Sequence, residues 1–130
     1  MKRFLEWIGI KEKTHNSDLL PSFEEKEIWW VYLGENVGHE EDGKGEHFLR
    51  PFVVIKKFNK ELMFGVPCSS VGKKNRYYFE INLNSLNFKT HALLSQARVL
   101  SSRRLTKIVA KTGDEQFQKL KTTLIKAVFS

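Results

Sequence analysis

The chain has 130 residues, and its 22 Lys and Arg residues outnumber its 15 Asp and Glu residues, which gives a net charge of +7. This length suits one domain with a single apolar core, and a hydrophobic fraction of 41% excludes a disordered chain. The positive charge favours a polyanionic partner such as a nucleic acid or a phospholipid surface, and the single cysteine excludes an internal disulfide.

The first 24 residues are predicted to form a short helix followed by a linker. Apolar side chains between Phe4 and Ile10 recur at helical spacing, and Pro21 interrupts any helix further along the chain. A frayed terminus is the alternative. The apolar stretch is too short for a signal peptide or a membrane span, so we expect a cytoplasmic protein. The predicted limits are residues 1–24 for this extension and 25–130 for the main domain.

Four segments of the main domain have the β-branched and aromatic composition of strands. They are EIWWVYL at 27–33, PFVVIKKF at 51–58, ELMFGVPC at 61–68 and RYYFEINL at 76–83. The short junction at 58–60 predicts a hairpin between the second and third. Weaker strand candidates are QARVL at 96–100 and TKIVAK at 106–111, and the SSRRL between them suits a single tight helical turn.

The end of the chain is predicted to be a helix. Thr112 and Glu115 have the spacing of a capping box, and apolar residues then recur at helical spacing. These residues are Phe117, Leu120, Leu124 and Val128. Several short strands closed by one helix predict a mainly β (α+β) fold, in which a small, strongly curved sheet or barrel packs against that helix.

Three common kinds of site are not supported by the residue spacing. His39, Glu40 and His47 are potential metal ligands, but neither an HExxH nor a paired CxxC motif occurs, so we expect no metal or other cofactor. A phosphate-binding P-loop is excluded because no Ser or Thr follows Lys73. Cys68 ends an apolar strand, where a buried cysteine is more common than a nucleophile.

A different set of residues is suited to binding phosphate. Arg50 precedes a strand-opening proline, where its guanidinium would present a fixed fork to phosphate oxygens. Ser69 and Ser70 follow the strand that ends in VPC, and their hydroxyls can donate to a phosphate. The next loop interleaves cations with aromatic rings, as a groove for a single nucleic acid strand requires, or forms a solvated hairpin tip. Its residues are Lys73, Lys74, Arg76, Tyr77 and Tyr78.

Four blocks in order, EIWWVYLGENVGHE, RPFVVIKK, GVPCSS and LLSQARVLSSRRL, resemble the MazF/PemK (Kid) family of bacterial type II toxins. The resemblance covers the chain from residue 27 to its end. It implies a compact SH3-like antiparallel β-barrel with a C-terminal helix, usually in a homodimer. It also implies a metal-independent, sequence-selective endoribonuclease that acts on single-stranded RNA and is inhibited by a cognate antitoxin.

The resemblance assigns catalytic positions to Glu40, Arg50 and Ser69. A ribonuclease without a metal uses the 2′-hydroxyl of the RNA as nucleophile, so it needs a base, a cation for the developing charge and an acid for the leaving oxygen. We expect Arg50 to stabilise charge, Ser69 to bind phosphate and Glu40 to act as base, with His39 and His47 as competitors. The predicted RNA-binding residues are Ser70, Lys73, Lys74, Arg76, Tyr77, Gln96 and Arg98.

Two features depart from the family pattern. Leu93 and Ser95 stand where some members have a catalytic Arg and Asp, so the acid must come from elsewhere, and the loop before Arg50 is longer than usual. Arg98 is expected either to bind RNA or to pair with an acid such as Glu80. The lost charges leave two rival functions open, a module that binds RNA or protein without cutting, and a toxin that inhibits gyrase.

Overall fold

The computed structural model describes residues 20–33, 49–83 and 87–129. These ranges contain seven β-strands, which are β1 Glu27–Tyr32, β2 Leu49–Lys57, β3 Leu62–Ser69, β4 Tyr78–Leu83, β5 Phe88–Leu93, β6 Arg98–Ser101 and β7 Leu105–Lys111. Two 3-10 turns span Leu94–Gln96 and Ser102–Arg104, and one helix, α1, spans Asp114–Phe129. The predicted N-terminal helix lies outside the described residues.

The six predicted strands are present with shifted ends, and the sequence reasoning missed one strand. The predicted strand at 96–100 begins only at Arg98, because Gln96 belongs to the preceding 3-10 turn. The tight turn predicted from SSRRL is the 3-10 turn Ser102–Arg104. The missed strand is β5, whose six residues FKTHAL contain two cationic or imidazole side chains.

All strand pairs are antiparallel, and neighbouring strands follow the order β4-β5-β3-β2-β1-β7. The remaining strand, β6, pairs only with β3. The predicted hairpin between β2 and β3 is confirmed. Strand β3 is shared, because its first half pairs β6 while Cys68 and Ser69 at its end pair β5. This antiparallel sheet with a C-terminal helix confirms the mainly β class, and closure into a barrel stays a prediction.

The sheet buries apolar side chains on both faces. One face packs against α1 and includes Val53, Val66 and Cys68. The other face carries a second core that includes Phe52 and Val54. Because side chains alternate along a strand, Arg50 lies on the same face as Phe52, at the end of the second core.

Part of the expected linker belongs to this second core. Phe23 is only 1% exposed and packs with Trp29 and other members of the second core. Lys57 donates to the Phe23 carbonyl oxygen at 2.9 Å, and its Nζ lies 4.8 Å from the centroid of the Phe23 ring. The packed part of the chain therefore includes residues on both sides of the expected domain limit.

The start and the apolar face of the helix differ from the prediction. The capping position before α1 is held by Gly113 and not by Thr112, because the helix begins at Asp114; the Thr112 hydroxyl donates to the Lys26 carbonyl oxygen at 3.0 Å. The first helical bond runs from the Phe117 amide to the carbonyl of Gly113. Val128 is 48% exposed, and Ala127 takes the predicted buried position because it lies three residues after Leu124. Neither α1 nor any other helix in the described ranges could cross a membrane.

Candidate active site

Arg50 is a buried cation at the start of β2. Only 5% of the residue is exposed, and its Nη1 donates to the carbonyl oxygen of Cys68 at 3.2 Å. A buried charge is tolerated when it is hydrogen-bonded, so this contact helps to hold the guanidinium in place. Because Cys68 immediately precedes Ser69, the guanidinium lies beside the end of β3.

Ser69 is held by two hydrogen bonds that leave it able to donate. Its carbonyl oxygen accepts a bond from Thr90 Oγ1 at 3.0 Å. Its hydroxyl oxygen accepts a bond from the Val71 amide at 3.2 Å, which forms a local turn after the strand. Since the hydroxyl oxygen is the acceptor there, its hydrogen can be directed to a ligand.

The neighbouring thiol is not suited to nucleophilic chemistry. Cys68 is fully buried on the helix side of the sheet. Burial raises the pKa of the Cys68 thiol from 9.0 to about 12, and the opposing effects of a backbone hydrogen bond and the nearby Arg50 charge are smaller. The thiolate that nucleophilic attack requires is therefore scarce at neutral pH.

The pairing of β3 with β5 places His91 beside Ser69. The pairing of β2 with β3 ends at Phe52 and Pro67, and beyond it the hydrogen bond from Arg50 Nη1 to the Cys68 carbonyl brings the guanidinium next to Ser69. Ser69 is paired in turn with His91 on β5. Side chains of directly opposed residues lie on the same face, so Ser69 and His91 share a face, and Arg50 lies next to Ser69 through its bond to Cys68; we call Arg50, Ser69 and His91 the transverse row.

The row continues into β4, where Glu80 is paired with His91. The Glu80 carboxylate lies 2.7 Å from Lys89 Nζ. The hydrogen bond from Lys89 lowers the pKa of Glu80, with a further contribution from the Lys89 charge and a smaller one from His91. Glu80 is thus paired with Lys89, and the role of Arg98, in binding RNA or in pairing with an acid, stays a prediction.

His91 was missed by the sequence reasoning, and its surroundings are unusual. Its ring packs so closely on Gly72 that a Cβ added there would lie 2.3 Å from Cδ2 and 2.4 Å from Nε2 of the ring. Its Nδ1 is buried and has no hydrogen-bond partner in the described part of the chain. The signal available in the sequence was the alternation in FKTHAL, which places Thr90 and Ala92 on one face and His91 on the other.

Two further arginines lie near this end of the sheet. Arg98 is paired with Gly65, and alternation along β3 places it on the same face as Ser69. Arg104 Nη1 donates to the carbonyl oxygen of Tyr32 at 3.0 Å, and Tyr32 is paired with Leu49, next to Arg50. Burial lowers the pKa of Arg104, and the Arg98 charge adds to this effect. The sequence reasoning assigned Arg104 only to a turn.

The loop after Ser69 exposes most of the other predicted RNA-binding residues. Ser70, Lys73 and Lys74 are all exposed. The Arg76 guanidinium lies 4.9 Å from the centroid of the Tyr77 ring and donates to its hydroxyl at 2.7 Å, so one face of this ring is already covered. The Tyr77 carbonyl accepts a bond from the Leu94 amide at 2.7 Å, which anchors the loop beside the turn that contains Gln96.

Comparison with known families identifies the chain. The family described as PemK-like, MazF-like toxin of type II toxin-antitoxin system matches residues 24–128. The chain belongs to this toxin family. A comparison with curated proteins gave no match.

Solved structures show the same fold for this PemK/MazF-like toxin. MazF from Deinococcus radiodurans is 18% identical with a TM-score of 0.67, and the match covers 87% of this chain and 100% of that one. An endoribonuclease from a mycobacterial species, in complex with its cognate antitoxin, is 8% identical with a TM-score of 0.61, covering 82% and 95% of the two chains. A MazE-MazF structure from Deinococcus radiodurans is 17% identical with a TM-score of 0.60, and the match covers 86% of this chain and 98% of that one.

Some of the predicted site residues lie outside the ranges that the structure describes. Glu40, His39 and His47 lie there, so their roles stay predictions. Leu93, at one of the two departures from the family pattern, is 3% exposed, whereas Ser95 is exposed. A buried leucine cannot replace a catalytic arginine, so any acid must come from another position.

Proposed function

We propose that this toxin is a metal-independent endoribonuclease that cleaves single-stranded RNA at selected sequences in the cytoplasm. The observation that carries the proposal is the Arg50 guanidinium, held 3.2 Å from the Cys68 carbonyl and thus beside Ser69. A fixed cation next to a hydroxyl donor suits a phosphodiester whose negative charge grows in the transition state. Two similar structures are of proteins named endoribonucleases, which supports the same function here.

The proposed reaction uses the RNA's own 2′-hydroxyl as the nucleophile. Glu40 removes its proton, with His39 and His47 as alternatives, and the 2′-oxygen attacks the adjacent phosphorus. Arg50 stabilises the charge on the phosphoryl oxygens, while Ser69 donates a hydrogen bond to one of them. The products are a 2′,3′-cyclic phosphate and a 5′-hydroxyl.

The proposed RNA path runs from the transverse row onto the exposed cations of the next loop. Lys73, Lys74 and Arg76 would contact the phosphate backbone, and Ser70 lies at the start of that loop. Arg98, on the same face as Ser69, would contact a neighbouring phosphate, and Gln96 would contact a base. Because these contacts are mainly electrostatic, binding should weaken steeply as salt rises.

The test is cleavage of a fluorescent single-stranded RNA in the presence of EDTA, followed by analysis of the product ends. Cleavage that leaves cyclic phosphate ends would support the proposal. Intact RNA with salt-sensitive binding would instead support the second candidate, a module that binds RNA without cutting it. The buried Leu93 and uncharged Ser95 favour that candidate, because they remove two charges that some family members use.

We also propose that an antitoxin segment binds an apolar groove between α1 and the sheet. The groove has a volume of about 500 Å³. Its apolar lining consists of Ile55, Phe64, Leu94, Ala97, Leu124, Ile125, Val128 and Phe129. Lys56 and Lys121 also line it, together with Glu25, so an acidic segment with apolar anchors would match most of this surface.

Similar structures contain an antitoxin, which supports a protein partner of this kind. The family resemblance also implies a homodimer, and a second copy of this chain is the competing occupant of the groove. Mass measurement in solution, with and without an acidic antitoxin peptide, separates the two. A groove filled by a second copy would give a dimer that the peptide does not alter.

A further inference from the structure

We propose that His91 is the general acid of the cleavage reaction, an inference that rests on the proposed endoribonuclease function. The reaction needs a proton for the leaving 5′-oxygen, since an alkoxide is a poor leaving group. Position 93, where some family members carry a charged side chain, holds a buried leucine, and position 95 holds a serine. The acid must therefore be another proton donor close to Arg50 and Ser69.

The strand register places His91 where such a donor is needed. It is paired with Ser69 on one side and with Glu80 on the other. Directly opposed side chains have Cβ atoms about 5 Å apart, so the imidazole adjoins the hydroxyl that is proposed to bind the scissile phosphate. Arg50 lies next to Ser69 through its bond to the Cys68 carbonyl. One phosphodiester could thus contact the cation, the hydroxyl and the imidazole from a single face.

The packing of the ring supports a role beyond stability. Buried polar atoms in folded proteins nearly always have a hydrogen-bond partner, yet His91 Nδ1 has none among the residues described. An apolar side chain would fill this place at lower cost if packing were the only requirement. The ring also lies against Gly72, at the exposed start of the cationic loop, where the lack of a side chain makes room for it.

Burial of Nδ1 leaves Nε2 as the ring nitrogen available to a bound RNA. The 2′-oxygen attacks phosphorus and the bond from phosphorus to the 5′-oxygen breaks, with its electron pair passing to that oxygen. The His91 imidazolium gives its Nε2 proton to the same oxygen and becomes neutral imidazole. Before the next turnover the neutral ring regains a proton from solvent, and Glu40 releases to solvent the proton that it took from the 2′-hydroxyl, so atoms and charges balance.

The Glu80 carboxylate completes the surroundings of the ring. It faces His91 from β4, and the His91 charge contributes to the lowered pKa of Glu80 after the larger effects of Lys89. Glu80 is a positioning residue in this scheme, because it does not contact the reacting atoms. The order of groups along the row is then cation, phosphate-binding hydroxyl, acid and positioning carboxylate.

The experiment compares two RNA oligonucleotides that differ only at the leaving atom. One has the natural 5′-oxygen at the scissile linkage, and the other has a bridging sulfur, which leaves without protonation. His91→Gln should lower the cleavage rate of the oxygen substrate by about 100- to 10,000-fold, the range for a lost general acid. It should cleave the sulfur substrate within a few-fold of the wild-type rate.

Glu40→Gln, at the proposed base, is the matched comparison and should lose rate equally on both substrates. Equal losses for His91→Gln on both substrates, or no loss on either, would overturn the assignment of His91 as acid. A thermal melt of His91→Gln shows whether a loss comes from unfolding. A wild-type protein that cuts neither substrate would remove the endoribonuclease function itself, and the assignment of His91 with it.

Discussion

Arg50 on β2 donates a hydrogen bond to the carbonyl oxygen of Cys68 on β3 at 3.2 Å, so the cation of the candidate site is tied to the backbone beside Ser69, the serine proposed to bind phosphate. Arg50→Lys keeps the charge but loses the planar fork that matches two phosphate oxygens. We expect this variant to lose about 100-fold or more in kcat/KM for RNA cleavage. Single-turnover rates on a fluorescent RNA measure the loss.

The control for this substitution is Arg103→Lys. Arg103 lies beside Glu61, at the hairpin end of β3 and away from Ser69. We expect it to cleave within about two-fold of the wild-type rate, the small effect usual for surface substitutions. Similar losses for Arg50→Lys and Arg103→Lys would show that the effect does not depend on the guanidinium of Arg50 in particular.

Gly72→Ala should displace the His91 ring. The added Cβ would lie 2.3 Å from Cδ2 of the ring, so the imidazole must move. A side chain misplaced by about 1 Å in an active site lowers the rate by up to 100-fold, and we expect a 10- to 100-fold loss of cleavage. The melting temperature should change little, because the displaced His91 ring can turn towards the exposed loop. Unchanged cleavage would argue against a catalytic position for the ring.

Cys68 should make the fold sensitive to alkaline pH. The pKa of its thiol is about 12 in the folded chain and 9.0 without burial. A raised folded-state pKa contributes stability below pH 9 that is lost as the pH rises from about 9 towards 12. Between pH 8 and 10.5, the free energy of unfolding should therefore fall more for the wild type than for Cys68→Ala. Parallel curves from urea unfolding would contradict this.

Gly65→Ala should destabilise the sheet. A Cβ at this position would lie 2.2 Å from the Val53 carbonyl oxygen and 2.5 Å from the Phe52 ring, and the backbone oxygen cannot move aside. Overpacking of this kind costs about 2 to 3 kcal/mol. Gly113→Ala is the matched control, since its Cβ would meet nothing within 4 Å. Urea unfolding should separate the two variants clearly, and equal stabilities would contradict the close packing.

Ile125→Asp should separate antitoxin binding from RNA cleavage. Ile125 is 59% exposed and lines the apolar groove beside α1. A carboxylate there would repel an acidic segment and remove an apolar contact, so we expect binding of such a peptide to weaken at least 30-fold by calorimetry. Cleavage should stay near the wild-type rate. Gln118→Asp, on an exposed part of the same helix, provides the charge-matched control.

The sequence was informative where local pattern and tertiary structure agree. Strands β2 and β3 are rich in β-branched and apolar residues and are joined by a short turn, so their pairing, and the approach of Arg50 to Ser69, follow from local signals. Strand β5 has a weak pattern and exists because β3 and β4 pair it on both sides. Since β5 was missed, so was His91.

The start of the helix also shows that local sequence patterns do not reveal long-range contacts. Thr112 and Glu115 have a capping spacing, but the Thr112 hydroxyl bonds the carbonyl of Lys26, 86 residues earlier in the chain. A long-range contact thus replaced the local one, and no neighbouring residue signals it. Arg104 was assigned only to a turn. Its hydrogen bond to the Tyr32 carbonyl was missed, because the two residues lie 72 positions apart in the chain.

The transverse row also governs when this chain can act during its own synthesis. Arg50, Ser69 and His91 come from three strands, and β5 joins β3 only after residues 88–93 have left the ribosome. A nascent polypeptide that has reached only β3 carries the cation and the hydroxyl but no imidazole beside them. Sheets built from distant segments also fold slowly. Under the proposed function, the nascent chain therefore gains the complete row, and with it the capacity to cleave RNA, only once most of its residues have been made.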